Sequence, residues 1–463
     1  PACITAAAKI GDLCWQALTE GGINITSLGN HHGLSATVLL DPAVELYLTT
    51  HEKKYLELAR LILKQASDSP ALELLPRALD GTDAAFIATG KAYQLSWNLV
   101  GLAKLHRTTG DPACLQAVQR VWENIRQHHL TLGGGPWGGV AHRSREVFNP
   151  PAVFSPYGYV ETCSTFSWIQ LNRELLTITG EAKYADEIEK SAYNDLLGAQ
   201  APGGDNWCYY SFPNGRRVFT TYWRCCKSSG PWALEELTPL AYGLMADSSI
   251  ALNLYGPSQA ALATPQAGIV RLDQATRYPF DGTIRITVKP ERAARYAILV
   301  RIPGWAENAV VLINDKSVAS PAAPNSYVTV ERLWQDGDVI TLQLPMPPKL
   351  HRQVNRNVQE SRAPDGSPVS QEVLHFDYAA ITRGPLVYST SLIDGFKIEE
   401  TIRLPAGPGD GLLELLDAPQ GSEAPAVRLK LGYRPPLTFL PYFEAGGRQD
   451  GAWRLTWLQV APG

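Results

Sequence analysis

Near residue 248 the spacing of apolar residues changes from a repeat of three to four to a repeat of two. A helix buries a stripe and a strand buries alternate residues, so this change divides the chain into a helical part followed by a β part. Before it, Leu95, Leu99, Leu102 and Leu105 share one helical face. So do Leu115, Val118, Trp122 and Ile125, and later Trp168, Leu171, Leu175 and Ile178. After it, 283–288, 327–330 and 339–344 alternate between apolar and polar. At 463 residues the chain exceeds what one core ordinarily serves, and boundaries are expected at 1–246, 247–348 and 349–463.

Within the helical part a turn recurs: Thr50-His51-Glu52, Thr109-Gly110-Asp111 and Thr179-Gly180-Glu181. Each precedes a helix with an apolar face. Helical hairpins repeating at intervals of roughly 60 to 70 residues stack either into an open solenoid or into a closed α/α toroid. In the β part, Asp281-Gly282 and Asn314-Asp315 supply turns, and two small antiparallel β-sandwiches in series are expected. The polar stretch from His351 to Ser370 reads as a loop joining β units.

A net charge of −4 gives no basic footprint, so nucleic acid is not an expected partner. No apolar run is long enough to span a bilayer. The first residues, PACITAAAKIGDLCW, are amphipathic and lack a basic start followed by an apolar run, so no secretion signal is visible. The chain starts at Pro1 without Met, the mark of processing or of a missing N-terminus. Twelve Trp and nineteen Tyr suit sugar rings as well as a core. Seven cysteines, an odd count in a large chain, fit free thiols or a metal better than a disulfide framework. Free thiols favour the cytoplasm over the periplasm or secretion.

The chemistry gathers at Glu161-Thr162-Cys163 and Cys225-Cys226. The first opens the helix of Trp168; the second precedes a helix with Pro231 near its first turn. A helix N-terminus favours thiolate over thiol. One carboxylate and three thiolates, from Glu161, Cys163, Cys225 and Cys226, complete a tetrahedral Zn2+ site. The plain alternative is that these are small buried hydrophobes, as free Cys often is. The adjacent pair argues against that, because neighbours on a chain rarely both point into one core.

These residues, with Glu146 upstream in Ser144-Arg145-Glu146-Val147-Phe148, resemble glycoside hydrolase family 127, the β-L-arabinofuranosidase family. Arg301-Ile-Pro-Gly-Trp-Ala306, Arg383-Gly-Pro-Leu-Val-Tyr388 and Leu440-Pro-Tyr442 extend the likeness over most of the chain. The resemblance implies an (α/α)6 toroid followed by β-sandwich domains. It implies a retaining glycosidase in which Cys225 attacks the anomeric carbon and Glu146 serves as acid and then base. Glu161, Cys163 and Cys226 then hold zinc beside Cys225.

The chain departs from the family pattern in two places. Where arabinofuranosidases carry Gly-His at the start of an inner helix, this chain has Gly90-Lys91. Lys91 is either a donor to an acidic sugar or a solvated surface residue. His142, with Arg143 and Arg145, crowds next to Glu146; these residues either contact a carboxylate-bearing sugar or lower the pKa of nearby acids. His32, in the pair His31-His32, either lines the pocket or caps a helix. Trp207, Tyr209, Tyr210 and Trp223 form either a stacking platform or ordinary core. The other departure is that only about eight helices precede residue 246, fewer than a complete twelve-helix toroid needs. An incomplete toroid exposes apolar faces that a second copy of the chain, as a homodimer, would cover.

The reading is therefore an exo-acting hydrolase that removes a terminal β-L-arabinofuranoside or a related, including acidic, sugar from a carbohydrate. Two alternatives stand: a carbohydrate-binding protein with a structural zinc, and an unsaturated-uronide hydrolase or lyase on an α/α toroid.

Overall fold

The computed structural model describes residues 2–139, 146–151, 153–222, 224–318, 322–393, 401–405 and 411–461. It divides into two compact units, residues 1–178 and 179–463.

The first unit is mainly helical. Its longer helices are Ala2–Leu18, Leu40–Thr50, Lys53–Asp68, Ala92–Thr109, Pro112–His128 and the one that begins at Thr162. The recurring turn has a local cause. Thr50 Oγ1 donates to the Leu46 carbonyl and accepts the Glu52 N–H, and Thr109 does the same with Leu105 and Asp111. The residue between lies at positive φ, +60° at His51 and +76° at Gly110. One threonine thus closes the old helix and aims the chain into the next. The third copy repeats the arrangement, with the Glu181 N–H donating to Thr179 Oγ1.

Close packing follows from small residues and buried pairs. A Cβ on Gly101 would meet Leu40 Cγ at 2.8 Å, so this glycine sets the approach of helices 40–50 and 92–109. Lys104 on the second helix bonds Asp41 and Glu45 on the first, each at 2.6 Å. Trp122 and Trp168 stack with centroids 5.9 Å apart, and Trp122 Nε1 donates to Asn172. Among the described residues no helix is long and apolar enough to cross a membrane.

The second unit carries the Ala182–Ser191 and Cys226–Glu235 helices and most of the strands. A four-stranded sheet runs in the order 326–334, 294–302, 250–252, 242–244. A six-stranded sheet runs 316–317, 310–313, 338–343, 283–290, 268–276, 258–264. The period-two pattern is what the sheets bury: Ile284, Ile286 and Val288 point into a core shared with Leu252, Ile298, Val300 and Trp334. Asn314 and Asp315, at φ +48° and +62°, form the two-residue hairpin turn expected there.

A third sheet is built around the 368–383 strand, with its own core of Ile381, Tyr388, Leu429 and Phe439. Here the expectation of a polar loop from His351 to Ser370 is overturned. Residues 348–362 and 368–383 pair as one long antiparallel hairpin, from Pro348 opposite Arg383 to Arg362 opposite Pro368. The described side chains of its outer half are almost all exposed, so no buried face imposes alternation there. Polar contacts support it instead: Arg356 bonds Glu372 across the strands, and His375, on the same strand as Glu372, has Nδ1 2.7 Å from that carboxylate.

The other marked motifs join elements. Arg301 is fully buried and forks onto Asp186 and Glu189, while the Gly304 N–H donates to Asp186, tying the sheet to the 182–191 helix. Asn194 accepts the Val387 N–H at 2.8 Å and donates to the Pro385 carbonyl at 2.9 Å, fixing the Arg383–Tyr388 stretch.

Candidate metal centre and active site

Gly90 starts the site. Its φ is +69°, and a Cβ there would meet the Ala85 carbonyl oxygen at 2.6 Å, so only glycine makes this turn without strain. The turn delivers Lys91 to the N-terminus of the 92–109 helix with its side chain buried, 4% exposed. Its ammonium bonds the Glu146 carboxylate and lies 3.0 Å from Glu161 Oε2. Burial alone would lower the Lys91 pKa; Glu161 and then Glu146 outweigh it and hold the pKa above its ordinary value. Lys91 is thus neither a solvated surface residue nor a cation left unpaired for a ligand.

Glu146 is half-buried and held in the left-handed region at φ +68°. Its N–H donates to Tyr159 Oη at 2.8 Å, and its carbonyl accepts the Ala92 N–H at 3.0 Å. The Phe148 N–H bonds the Gly90 carbonyl at 2.8 Å. A non-glycine residue keeps such a conformation only where its surroundings enforce it, and such enforcement is common where a side chain must be aimed.

His31 and His32 separate. His31 Nδ1 lies 2.7 Å from Thr89 Oγ1, two residues before Lys91. Burial, and then the charge of Lys91, lower its pKa, with Glu146 opposing. His32 is exposed, with φ +58°. Neither caps a helix, because the following Leu34–Thr37 turn is capped by Gly33. His142, Arg143, Arg145 and Trp223 lie outside the described residues. Sequence reasoning did not single out Tyr159, and of the histidine pair it chose His32, whereas the contact near Lys91 is made by His31. The signal for His31 was its neighbour in the pair; Tyr159 carried none.

The thiols that could hold a metal stand where helices begin. Glu161 ends the short Tyr159–Glu161 strand and Cys163 is the second residue of the helix that follows; both are buried. Cys226 is the first residue of the 226–235 helix and is buried, while Cys225, just before it, is exposed. Pro231 is the sixth residue of that helix rather than part of its first turn. Tyr209 serves both thiols: Cys225 Sγ lies 3.8 Å from its hydroxyl and Cys226 Sγ 3.8 Å from its carbonyl. Trp207 is buried, and Gly230 leaves room for its indole, since a Cβ there would meet the ring at 2.3 Å. Trp207 is therefore core rather than a sugar platform.

Donor atoms of Glu161, Cys163, Cys225 and Cys226 all lie within 4.8 Å of one another. Zinc with bonds of about 2.3 Å to sulfur spaces tetrahedral ligands about 3.8 Å apart, so the donor set fits that ion with a small contraction.

Residues 20–237 match the family model described as Beta-L-arabinofuranosidase, GH127 catalytic domain, and residues 249–346 match that of the GH127 middle domain. A non-reducing end beta-L-arabinofuranosidase of Bifidobacterium longum subsp. longum is 23% identical over 409 residues, 79% of this chain. The match takes in 59% of that relative's length. Among solved structures, one described as a glycoside hydrolase aligns at a TM-score of 0.73 and 22% identity, over 91% of this chain and 74% of its own. A GH127 beta-L-arabinofuranosidase from Geobacillus stearothermophilus T6 aligns at 0.71 and 22% identity, over 93% of this chain and 76% of its own. These likenesses are of fold: a helical region followed by many-stranded sheets. With both family domains matched in order along it, the chain belongs to glycoside hydrolase family 127.

Proposed function

We propose that this chain is a retaining, exo-acting glycoside hydrolase that removes a terminal β-L-arabinofuranoside, with Cys225 as nucleophile and Glu146 as acid and base. We take its helical hairpins as part of an (α/α)6-type toroid and its first two sheets as a β-sandwich. The observation that carries the reading is the uneven exposure of the ligand set: Glu161, Cys163 and Cys226 are buried and Cys225 is exposed. A structural zinc site needs none of its four ligands within reach of solvent, whereas a nucleophile must be reached.

Glu161, Cys163, Cys225 and Cys226 would hold the ion, and zinc there would keep the thiols ionised and ease the later departure of sulfur from carbon. Cys225 Sγ attacks the anomeric carbon as Glu146 gives its proton to the leaving oxygen. Glu146, now ionised, takes a proton from the water that displaces sulfur, and net retention follows from two inversions. Lys91 favours the ionised form that Glu146 needs in this second step. Since Glu146 and Glu161 already neutralise Lys91, a sugar carboxylate finds no unpaired charge there, which favours a neutral arabinofuranoside over an acidic sugar.

The test is turnover of an aryl β-L-arabinofuranoside. Cys225→Ala should abolish it, and Glu146→Gln should lower kcat by about 10²–10⁴-fold. Full turnover in both variants would refute the mechanism and favour a binding protein with a structural metal. Metal analysis near one zinc per chain would count against a uronide hydrolase or lyase, whose chemistry needs no thiolate cluster.

A further inference from the structure

Two arginines that make no ion pair with a described carboxylate lie inside the second unit, although the buried Asp195 acts on Tyr442 beside them. Arg217 follows the Asn214–Arg216 strand, and Arg454 sits in the Trp453–Leu455 strand that pairs with it. Both are 0% exposed. They are close neighbours, since Arg217 Nη2 and Arg454 Nη1 each reach the Tyr442 carbonyl at 3.5 Å. Arg217 Nη2 also donates to the Phe443 carbonyl at 2.8 Å, and Arg454 Nη1 to the Gly198 carbonyl at 2.9 Å.

The rest of each guanidinium is unmet. Arg217 Nε and Nη1, and Arg454 Nε and Nη2, have no hydrogen-bond partner among the described residues. Neither arginine makes an ion pair with a described carboxylate. The Tyr442 ring lies 3.9 Å from Arg454 Cζ, but it covers a face of the guanidinium and leaves the in-plane N–H groups free. Asp450 accepts the Phe219 N–H instead. Burial raises the pKa of the nearby Cys208 thiol, so it stays neutral and supplies no charge. Burial, and then Arg454, pull the pKa of Arg217 down to about 10, which still leaves it cationic at neutral pH.

Two adjacent buried cations with four idle donors are unfavourable as they stand, because arginine cannot escape by losing its proton. We propose that Arg217 and Arg454 enclose a binding site for a small inorganic anion of halide size. A monatomic anion accepts several N–H groups without directional demands and fits a closed interior. A sugar or an organic phosphate has no route to side chains that are fully buried. The anion would pin the strand at 214–216 to the strand at 453–455.

Crystals grown with bromide replacing chloride test this directly. The expected result is an anomalous peak within hydrogen-bond distance of both guanidinium groups. In solution, at constant ionic strength, the unfolding midpoint of the full chain should be about 2–5 °C higher in chloride than in gluconate. The difference should vanish in the Arg217→Met, Arg454→Met double variant. Bromide crystals without that peak, or equal midpoints of the unsubstituted chain in the two salts, would overturn the proposal and leave water as the partner of these groups.

Discussion

The ammonium of Lys91 and the carboxylate of Glu161 meet at 3.0 Å as a buried ion pair, and the same ammonium holds Glu146. If Glu161 binds metal and Glu146 moves protons, Lys91→Met touches both. Losing a hydrogen-bonding partner of a metal ligand costs about 10–100-fold in metal affinity or activity. A carboxyl that loses a neighbouring cation holds its proton more tightly, so the alkaline limb of the kcat/KM profile should move to higher pH. A pH–rate series on the variant, with metal content measured alongside, checks both effects.

Gly90→Ala should destabilise the protein by about 1–2 kcal/mol, since the residue sits at φ +69° and the new methyl meets a backbone oxygen. Activity should fall as well, because the same turn carries Lys91 and receives the Phe148 N–H. Urea unfolding and steady-state kinetics on one preparation measure both.

His129 gives a pH prediction. It is fully buried, its Nε2 lies 3.0 Å from Asp83, and its ring packs on Phe148. Burial lowers its pKa below the ordinary 6.5, with Asp83 opposing. The unfolded chain therefore binds the proton more readily, and stability contributed above about pH 6.5 is lost as pH falls below it. The unfolding midpoint should drop between pH 7 and 5.5, and His129→Gln should flatten that slope.

Arg301→Met should cost about 3–5 kcal/mol by leaving Asp186 and Glu189 buried without their cation. Chemical denaturation reads this directly. By contrast, replacing residues 356–375 with Asn-Gly, to join Asn355 to Phe376, should change stability by less than about 1 kcal/mol, since the described side chains there are almost all exposed.

The contrast between these elements marks what the sequence made legible. The helices with Leu95 and Trp168, and the strand with Ile284, could be placed because each buries one face and writes its period into the chain. The 348–383 hairpin buries no face along its outer half, so its residues carried no period and read as a loop. Glu161, Cys163 and the Cys225-Cys226 pair were legible from the rarity of their chemistry. The pairing of Lys91 with Glu146 and Glu161 was not legible, because these partners stand 55 and 70 residues away and spacing along a chain says nothing of such a meeting. His31 and His32 are adjacent in a turn, where only the backbone path decides which ring turns inward.

The strand at 214–216, a few residues before the Cys225-Cys226 pair, has as its partner the strand at 453–455. Gly215 and its opposite number Arg454 are 239 positions apart. On a ribosome adding residues at about 5–20 per second, the first strand emerges roughly 10–50 s before the second exists. Its backbone donors wait unpaired through the synthesis of every intervening sheet. A nascent chain halted before Arg454 would therefore hold the 214–216 strand without its partner.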